Sequence, residues 1–177
     1  MQVPPQRKGT QMVLSDLAIV LATRDDVPGI VDLQERNLSE HGGQLSVRWS
    51  PEWFEHAITD MPIIVARSGR RVVGYLVSTP QSAQSGVAIV LAMLATYRSP
   101  TDAYTYGPVC VEEQHRNRGV AASMFERLRT QLPGREGLTF IRGDNIASRR
   151  VHASLGMREV GKFEHGGVEY IVATYIG

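Results

Sequence analysis

Apolar positions along the chain fall into a run of strand and helix signals. Residues 18–22 are apolar and rich in β-branched side chains, and predict a first strand. Thr23 follows as a helix N-cap, with Asp25 and Asp26 in the first turn, where the helix dipole favours acid. Val27, Ile30, Val31 and Leu33 carry that helix to about Leu38, and Ser39-Glu-His-Gly-Gly43 breaks it. Ser50-Pro51 is a cap followed by proline at the first helical position. It opens a second helix with Trp53, Phe54, Ala57 and Ile58 on one side. Residues 63–67 and 71–78 predict two strands joined by the turn Ser68-Gly69-Arg70. Residues 87–95 read either as a buried strand or as an Ala/Leu-rich helix. Alanine, leucine and methionine favour the helix, which is the expectation, with residues 82–85 placed to cap it.

Residues 105–111 predict the next strand. Val120, Ala121, Met124, Phe125, Leu128 and Leu132 then recur at i, i+3/i+4 spacing and predict a helix from near Arg118. Residues 138–142 form a strand, and Asp144/Asn145 start a helix to about Leu155 that Gly156 ends. Residues 159–164 and 168–175 are a closing hairpin turned by His165-Gly166-Gly167. The order is β-α-α-β-β-α-β-α-β-α-β-β. It implies α/β architecture, a mixed sheet with helices packed on it.

The stretch 109–129 carries the chemistry. A short apolar strand runs into a polar, basic loop and then a helix. A helix start leaves about four backbone N–H groups without partners and is electropositive. A phosphate or pyrophosphate fits there. Gly119 lets the backbone approach such a ligand, Ala121 is small, and Arg116 and Arg118 add positive charge. The alternative is a solvated basic turn that merely caps an ordinary helix. The nucleotide-binding patterns Gly-x-x-x-x-Gly-Lys-Ser/Thr and Gly-x-Gly-x-x-Gly are absent from the sequence, so a nucleotide-binding protein ranks last.

Arg116-x-x-Gly119-x-Ala121 resembles the Arg/Gln-x-x-Gly-x-Gly/Ala signature of the GCN5-related N-acetyltransferases. Downstream, Asn145-Ile-Ala-Ser-Arg-Arg-Val-His-Ala-Ser-Leu-Gly-Met157 resembles that family's Asn-x-x-Ser/Ala…Tyr-x-x-Leu-Gly-Phe segment. The resemblance runs from Ile19 to the C-terminus, with residues 82–102 outside it. It implies a single domain over 16–177; residues 1–15, polar and bearing proline and glycine, read as a loosely ordered tail. It also implies a mostly antiparallel central sheet whose fourth and fifth strands splay, with acetyl-CoA in the V between them. The backbone of Val109, Cys110 and Val111 would pair with the pantetheine arm. The loop of Arg116, Asn117, Arg118, Gly119, Val120 and Ala121 would bind the pyrophosphate. Asn145 would contact the pantetheine arm, act as a plain helix cap, or do both. Ser148, three residues on, would reach the cofactor or serve only as a first-turn polar residue.

The implied reaction is attack of a neutral primary amine on a thioester. It needs a route for the amine proton, an oxyanion donor and an acid for the leaving thiolate. A backbone N–H near Cys110 or Val111 is the candidate oxyanion donor. The acid expected from the resemblance is a tyrosine, and here that position is His152. A protonated imidazole, with an ordinary pKa near 6.5, is more acidic than a phenol. The alternative is that His152 is a partly buried helix residue and water assists the thiolate. Met157 stands where the family has phenylalanine. No general base stands out among Glu40, His41, Tyr104, Tyr106, Glu112 and Glu113. Cys110 reads as a small buried residue rather than a nucleophile, since no activating partner is evident. Trp49 and Trp53 fall near the acceptor cleft of the resemblance, or in the core.

Composition narrows the setting. The 177 residues fit one domain, and 42% apolar with 21% charged residues is ordinary for a soluble globular protein. A net charge of +1 gives no reason to expect nucleic acid, although Arg116, Arg118, Arg149 and Arg150 would form a basic patch if their segments meet. One cysteine precludes an internal disulfide and a cysteine-based metal cluster, and suits a reducing compartment. The apolar run 87–95 is too short to span a bilayer, and residues 1–10 lack the apolar stretch of a signal peptide. The expectation is a cytoplasmic acetyltransferase with no metal and no membrane partner, acting on a small-molecule or peptide amine. The competing reading is a non-catalytic acyl-CoA-binding module. Residues 38–60 and 82–102 would shape the acceptor site, and the 87–95 helix would line it or form a homodimer surface.

Overall fold

The computed structural model describes residues 17–43, 45, 47–84 and 86–177. The tail expected at 1–15 therefore lies outside the described residues, as does Ser85. In chain order the elements are β1 (Leu17–Leu21), α1 (Val27–Asn37), α2 (Pro51–Asp60), β2 (Ile64–Ser68), β3 (Arg71–Pro80), α3 (Ala88–Thr96), β4 (Tyr104–Val111), α4 (Val120–Gln131), β5 (Glu136–Arg142), α5 (Ile146–Ser154), β6 (Arg158–His165) and β7 (Val168–Ile176). Every element expected from the sequence is present. The strands form one sheet in the order β1-β2-β3-β4-β5-β7-β6. The β4–β5 pair is parallel, and the other neighbours are antiparallel.

Helices cover both faces of the sheet because each strand alternates its side chains. On one face, Val27, Ile30 and Leu33 of α1 and Phe54 of α2 pack on Val65, Tyr75, Val77 and Cys110. On the other, Val120, Met124, Phe125 and Leu128 of α4 meet Ile64, Val73, Leu76, Tyr104 and Tyr106. The apolar side read for α4 is thus the buried side. Tyr104 and Tyr106 share a face, as alternation requires, and both are core residues. The Tyr104 hydroxyl lies 2.7 Å from that of Tyr175.

Helix α3 settles the ambiguity at 87–95. It is apolar all round, so its pattern names no buried side. Val90 and Met93, three residues apart, pack on Leu138 and Val172, while Leu91 stays 47% exposed. Val87 holds the N-cap position with no side-chain bond, and residues 81–84 form a short 3₁₀ turn; Ser85 of the expected cap lies outside the described residues. The start of α1 is also offset. A 3₁₀ turn, Arg24–Asp26, precedes it, and the Thr23 amide donates to the Asp26 carboxylate at 2.7 Å. Arg67 of β2 also bonds that carboxylate, at 2.6 and 2.5 Å, which ties the helix start to the sheet. Among the described residues, no helix is long and apolar enough to cross a membrane.

Candidate active site

Strands β4 and β5 touch only at their beginnings. Tyr104 pairs with Gly137 and Thr105 with Leu138, and no pairing follows. The cause lies in β4. Between Ser78↔Tyr106 and Leu76↔Val109, β3 contributes one residue and β4 contributes two, Gly107 and Pro108. Such a bulge bends its strand and interrupts the ladder. Gly107 adopts a φ of 106°, open to glycine, and Pro108 has no amide to offer β5. The ladder to β3 resumes beyond the bulge, where the Glu112 amide donates to the Val73 carbonyl at 2.9 Å. Antiparallel bonding alternates along a strand. Cys110 therefore also bonds toward β3, and Val109 and Val111 turn their backbone groups to the open side. Of the three residues assigned to the pantetheine arm, Val109 and Val111 face the gap and Cys110 does not. The Cys110 side chain is 4% exposed among the residues under α1 and α2. Burial pushes its thiol up to about 12, against the opposing pull of Arg116 and Arg36. It stays protonated and is no nucleophile.

At the open end of the V the chain makes a turn and starts α4. Asn117 (φ 58°) and Gly119 (φ 78°) are both left-handed, so the turn reverses sharply. No side chain caps α4. The first helical bond recorded there runs from the Ser123 amide to the Gly119 carbonyl, at 2.9 Å. The amides of Val120, Ala121 and Ala122 precede it at an electropositive helix end. An uncapped helix start thus lies at the position of the expected anion site.

Its arginines are arranged differently from the expectation. Arg116 reaches back to Asn37 of α1, Nη2 to Oδ1 at 2.7 Å, and its Nε donates to the Val111 carbonyl at 2.9 Å. It braces the loop against α1 through two neutral acceptors. Arg149 is paired with Glu159 at 2.7 and 2.9 Å and donates to the Gly143 carbonyl at 3.1 Å. Of the four arginines of the expected patch, Arg149 is thus held in an ion pair, and Arg118 and Arg150 lie exposed.

The second helix at the open end starts differently. Asn145 caps α5, with its Oδ1 accepting the Ser148 amide at 3.0 Å. The Ser148 hydroxyl lies 3.3 Å from His152 Nδ1, and the Ser148 carbonyl accepts from that nitrogen at 2.7 Å. A carbonyl only accepts, so Nδ1 carries the proton. His152 is half-buried, edge-on to Tyr106 at 5.7 Å. Burial pushes its imidazole below its ordinary range, outweighing the Ser148 carbonyl. The ring is neutral near pH 7 and its Nε2 is bare. This argues against the protonated imidazole expected from the sequence: the ring has no spare proton for a thiolate.

The base candidates fare alike. Glu112 is 8% exposed and ringed by Arg36, Arg71 and His115. Burial works to raise its pKa, but bonds from Arg71 and Arg36 hold the carboxyl below the usual range. Glu113 lies exposed in a 3₁₀ turn, and Glu40 is paired with Arg48. His41 Nδ1 contacts the Glu35 carbonyl at 2.7 Å. Trp49 and Trp53 stack on each other at 3.9 Å, with Phe54 against their edges. A small hollow of about 120 Å³ beside them is lined by Leu38, Ser39, Glu40, Leu45 and Arg48. Among the described residues, no cluster of His, Cys, Asp and Glu could hold a metal ion. Sequence reasoning missed Arg36, Asn37 and Arg71, because nothing in the local pattern shows that they converge on residues 112 and 116.

Residues 30–157 match the Acetyltransferase (GNAT) family. The chain belongs to that family. It is therefore an acyltransferase, and acetyl-CoA is its cosubstrate. Solved structures share the fold. A Salmonella typhimurium protein solved with its cofactor acetyl-CoA superposes with a TM-score of 0.67 at 16% identity, over 91% of this chain and 94% of that one. An N-acetyltransferase from Staphylococcus aureus Mu50 gives 0.66 at 15% identity, over 90% and 98%. A ribosomal-protein-alanine N-acetyltransferase from Brucella melitensis gives 0.64 at 20% identity, over 90% and 99%. No curated protein matches the sequence significantly.

Proposed function

We propose that the chain transfers the acetyl group of acetyl-CoA directly to a primary amine. The observation that carries this reading is the open V between β4 and β5, with the uncapped start of α4 at its mouth. The pyrophosphate would lie on the amides at the Arg116–Ala121 turn. The pantetheine arm would run along the exposed edge at Val109 and Val111. One of those two amides, aimed at the thioester carbonyl, would stabilise its developing negative charge. Direct transfer fits the buried, protonated Cys110, which offers no acyl-enzyme route. The acceptor would enter over residues 38–60 and 82–102, beside the Trp49–Trp53 stack. Asn145 and Ser148 would flank the pantetheine while serving the cap of α5. With His152 neutral, water takes the amine proton and protonates the thiolate. The working unit is the single domain 16–177, cytoplasmic, with a small-molecule or peptide amine as acceptor, no nucleic-acid partner, and the α3 face as the surface for a homodimer.

A second reading is a non-catalytic acyl-CoA-binding module. It is favoured by the ion pairs that hold Glu112 and Glu40, so that neither carboxylate is free to act as a base. Turnover separates the two. Free CoA released from acetyl-CoA, dependent on one member of a panel of small amines and N-terminal peptides, supports transfer. Acetyl-CoA binding with no release across the panel supports the binder.

A further inference from the structure

Glu112 sits where β4 ends and the loop begins. Its amide continues the ladder to Val73 at 2.9 Å, and its carbonyl accepts the His115 amide at 2.8 Å. Its carboxylate is buried, and a buried carboxylate is costly unless paired and hydrogen-bonded. Three cationic or ionisable groups converge on it. Arg36 of α1 reaches Oε1 at 3.1 Å, Arg71 of β3 also bonds Oε1, and His115 Nδ1 lies 3.0 Å from Oε2. Through Oε1 the carboxylate thus ties the helix to the sheet where the loop begins, while Oε2 faces His115. Arg116 to Asn37 adds a second tie between the loop and the same helix end.

That helix end also holds the acceptor-side segment. The buried Gln34 side chain donates to the Trp49 carbonyl at 2.8 Å and accepts the Trp49 amide at 3.1 Å. The Asn37 carbonyl accepts the Leu45 amide at 2.9 Å. The last turn of α1 is therefore bonded to the cofactor loop on one side and to Leu45 and Trp49 on the other.

We propose that Glu112 is a positioning residue for acetyl-CoA, acting through Arg36 and Arg71. It fixes the loop 113–119 against the end of α1, so that the α4 amides are aimed before the ligand arrives. The proposal rests on the acetyl-CoA reading above. It follows from the arrangement that loosening this tie lowers cofactor affinity and leaves the chemical step largely intact. In Glu112→Gln and Arg36→Met, calorimetric titration is expected to show acetyl-CoA bound about tenfold more weakly, a loss of about 1.4 kcal/mol. The turnover number at saturating acetyl-CoA stays within about threefold of the parent. Arg36→Lys keeps a charged donor for Glu112 and restores most of the affinity. Glu126→Gln, which breaks an exposed ion pair with Arg129 on α4, serves as the control and leaves binding unchanged. Arg36 and Arg71 are about half exposed, so Arg36→Met leaves no buried charge beyond Glu112 itself and keeps the test valid if Glu112→Gln folds poorly. Parent-like affinity in a folded Glu112→Gln or Arg36→Met, even with a lowered melting temperature, reduces the cluster to structural support and overturns the proposal. Absence of acetyl-CoA binding by the parent would instead sink the reading on which it rests.

Discussion

Helices α4 and α5 start at the same end of the sheet, after neighbouring parallel strands, yet they treat their free amides in opposite ways. Helix α5 satisfies its own start: Asn145 Oδ1 takes the Ser148 amide. Helix α4 begins at a left-handed glycine that has no side chain to offer. An N-cap side chain is worth about 1 kcal/mol, so α4 forgoes stability that α5 keeps. A helix start left open beside a strand gap is suited to an anion that arrives from outside. On the proposed reading the two helices have different work: α4 would hold the charged part of the cofactor and α5 would frame the V.

The largest effect that would break this comparison is at Gly119. Gly119→Glu places a carboxylate at the α4 start and forces a left-handed φ on a residue with a Cβ, a strain of about 1–3 kcal/mol. Acetyl-CoA affinity is expected to fall by about a hundredfold or more, on the scale of a lost charge-assisted phosphate contact with added repulsion. Gly119→Ala carries the same backbone strain without the charge and should lose less, which isolates the electrostatic part by titration calorimetry. A smaller effect is predicted for Asn145→Ala. Loss of its cap should cost about 1 kcal/mol in denaturant unfolding. Acetyl-CoA affinity should move by less than about threefold, since the α5 amides are not the ones offered to phosphate. The smallest effect belongs to His152. Replacement by phenylalanine should leave the turnover number within about threefold, since a neutral ring whose one proton is bonded to Ser148 is no general acid. A hundredfold loss of turnover with unchanged acetyl-CoA affinity would return His152 to the mechanism.

Much of this architecture was legible before the structure because its signals are local. Ser50-Pro51 starts α2, Gly156 ends α5, and the apolar side of α4 is buried as its spacing implies. The α4 turn was legible for the same reason: a glycine at a strand-to-helix junction announces itself. What was hidden depends on distance in sequence. Whether Arg116 faces a ligand or braces the loop depends on Asn37, 79 residues earlier. Whether Glu112 is a base or a buried anchor depends on Arg36 and Arg71. The bulge that turns Val109 and Val111 outward and Cys110 toward β3 is a matter of register, which no pattern within β4 alone reveals. Asn145 illustrates the intermediate case, since its cap was readable and is present.

In the proposed complex the start of α4, and not that of α5, receives the phosphates. Backbone amide chemical shifts of nitrogen-15-labelled protein, followed through a titration with acetyl-CoA, test it residue by residue. The account predicts the largest shifts at Gly119, Val120 and Ala121, with Val109 and Val111 following and the capped Ser148 amide moving little. Large shifts at residues 146–148 with a silent Gly119–Ala121 would contradict it.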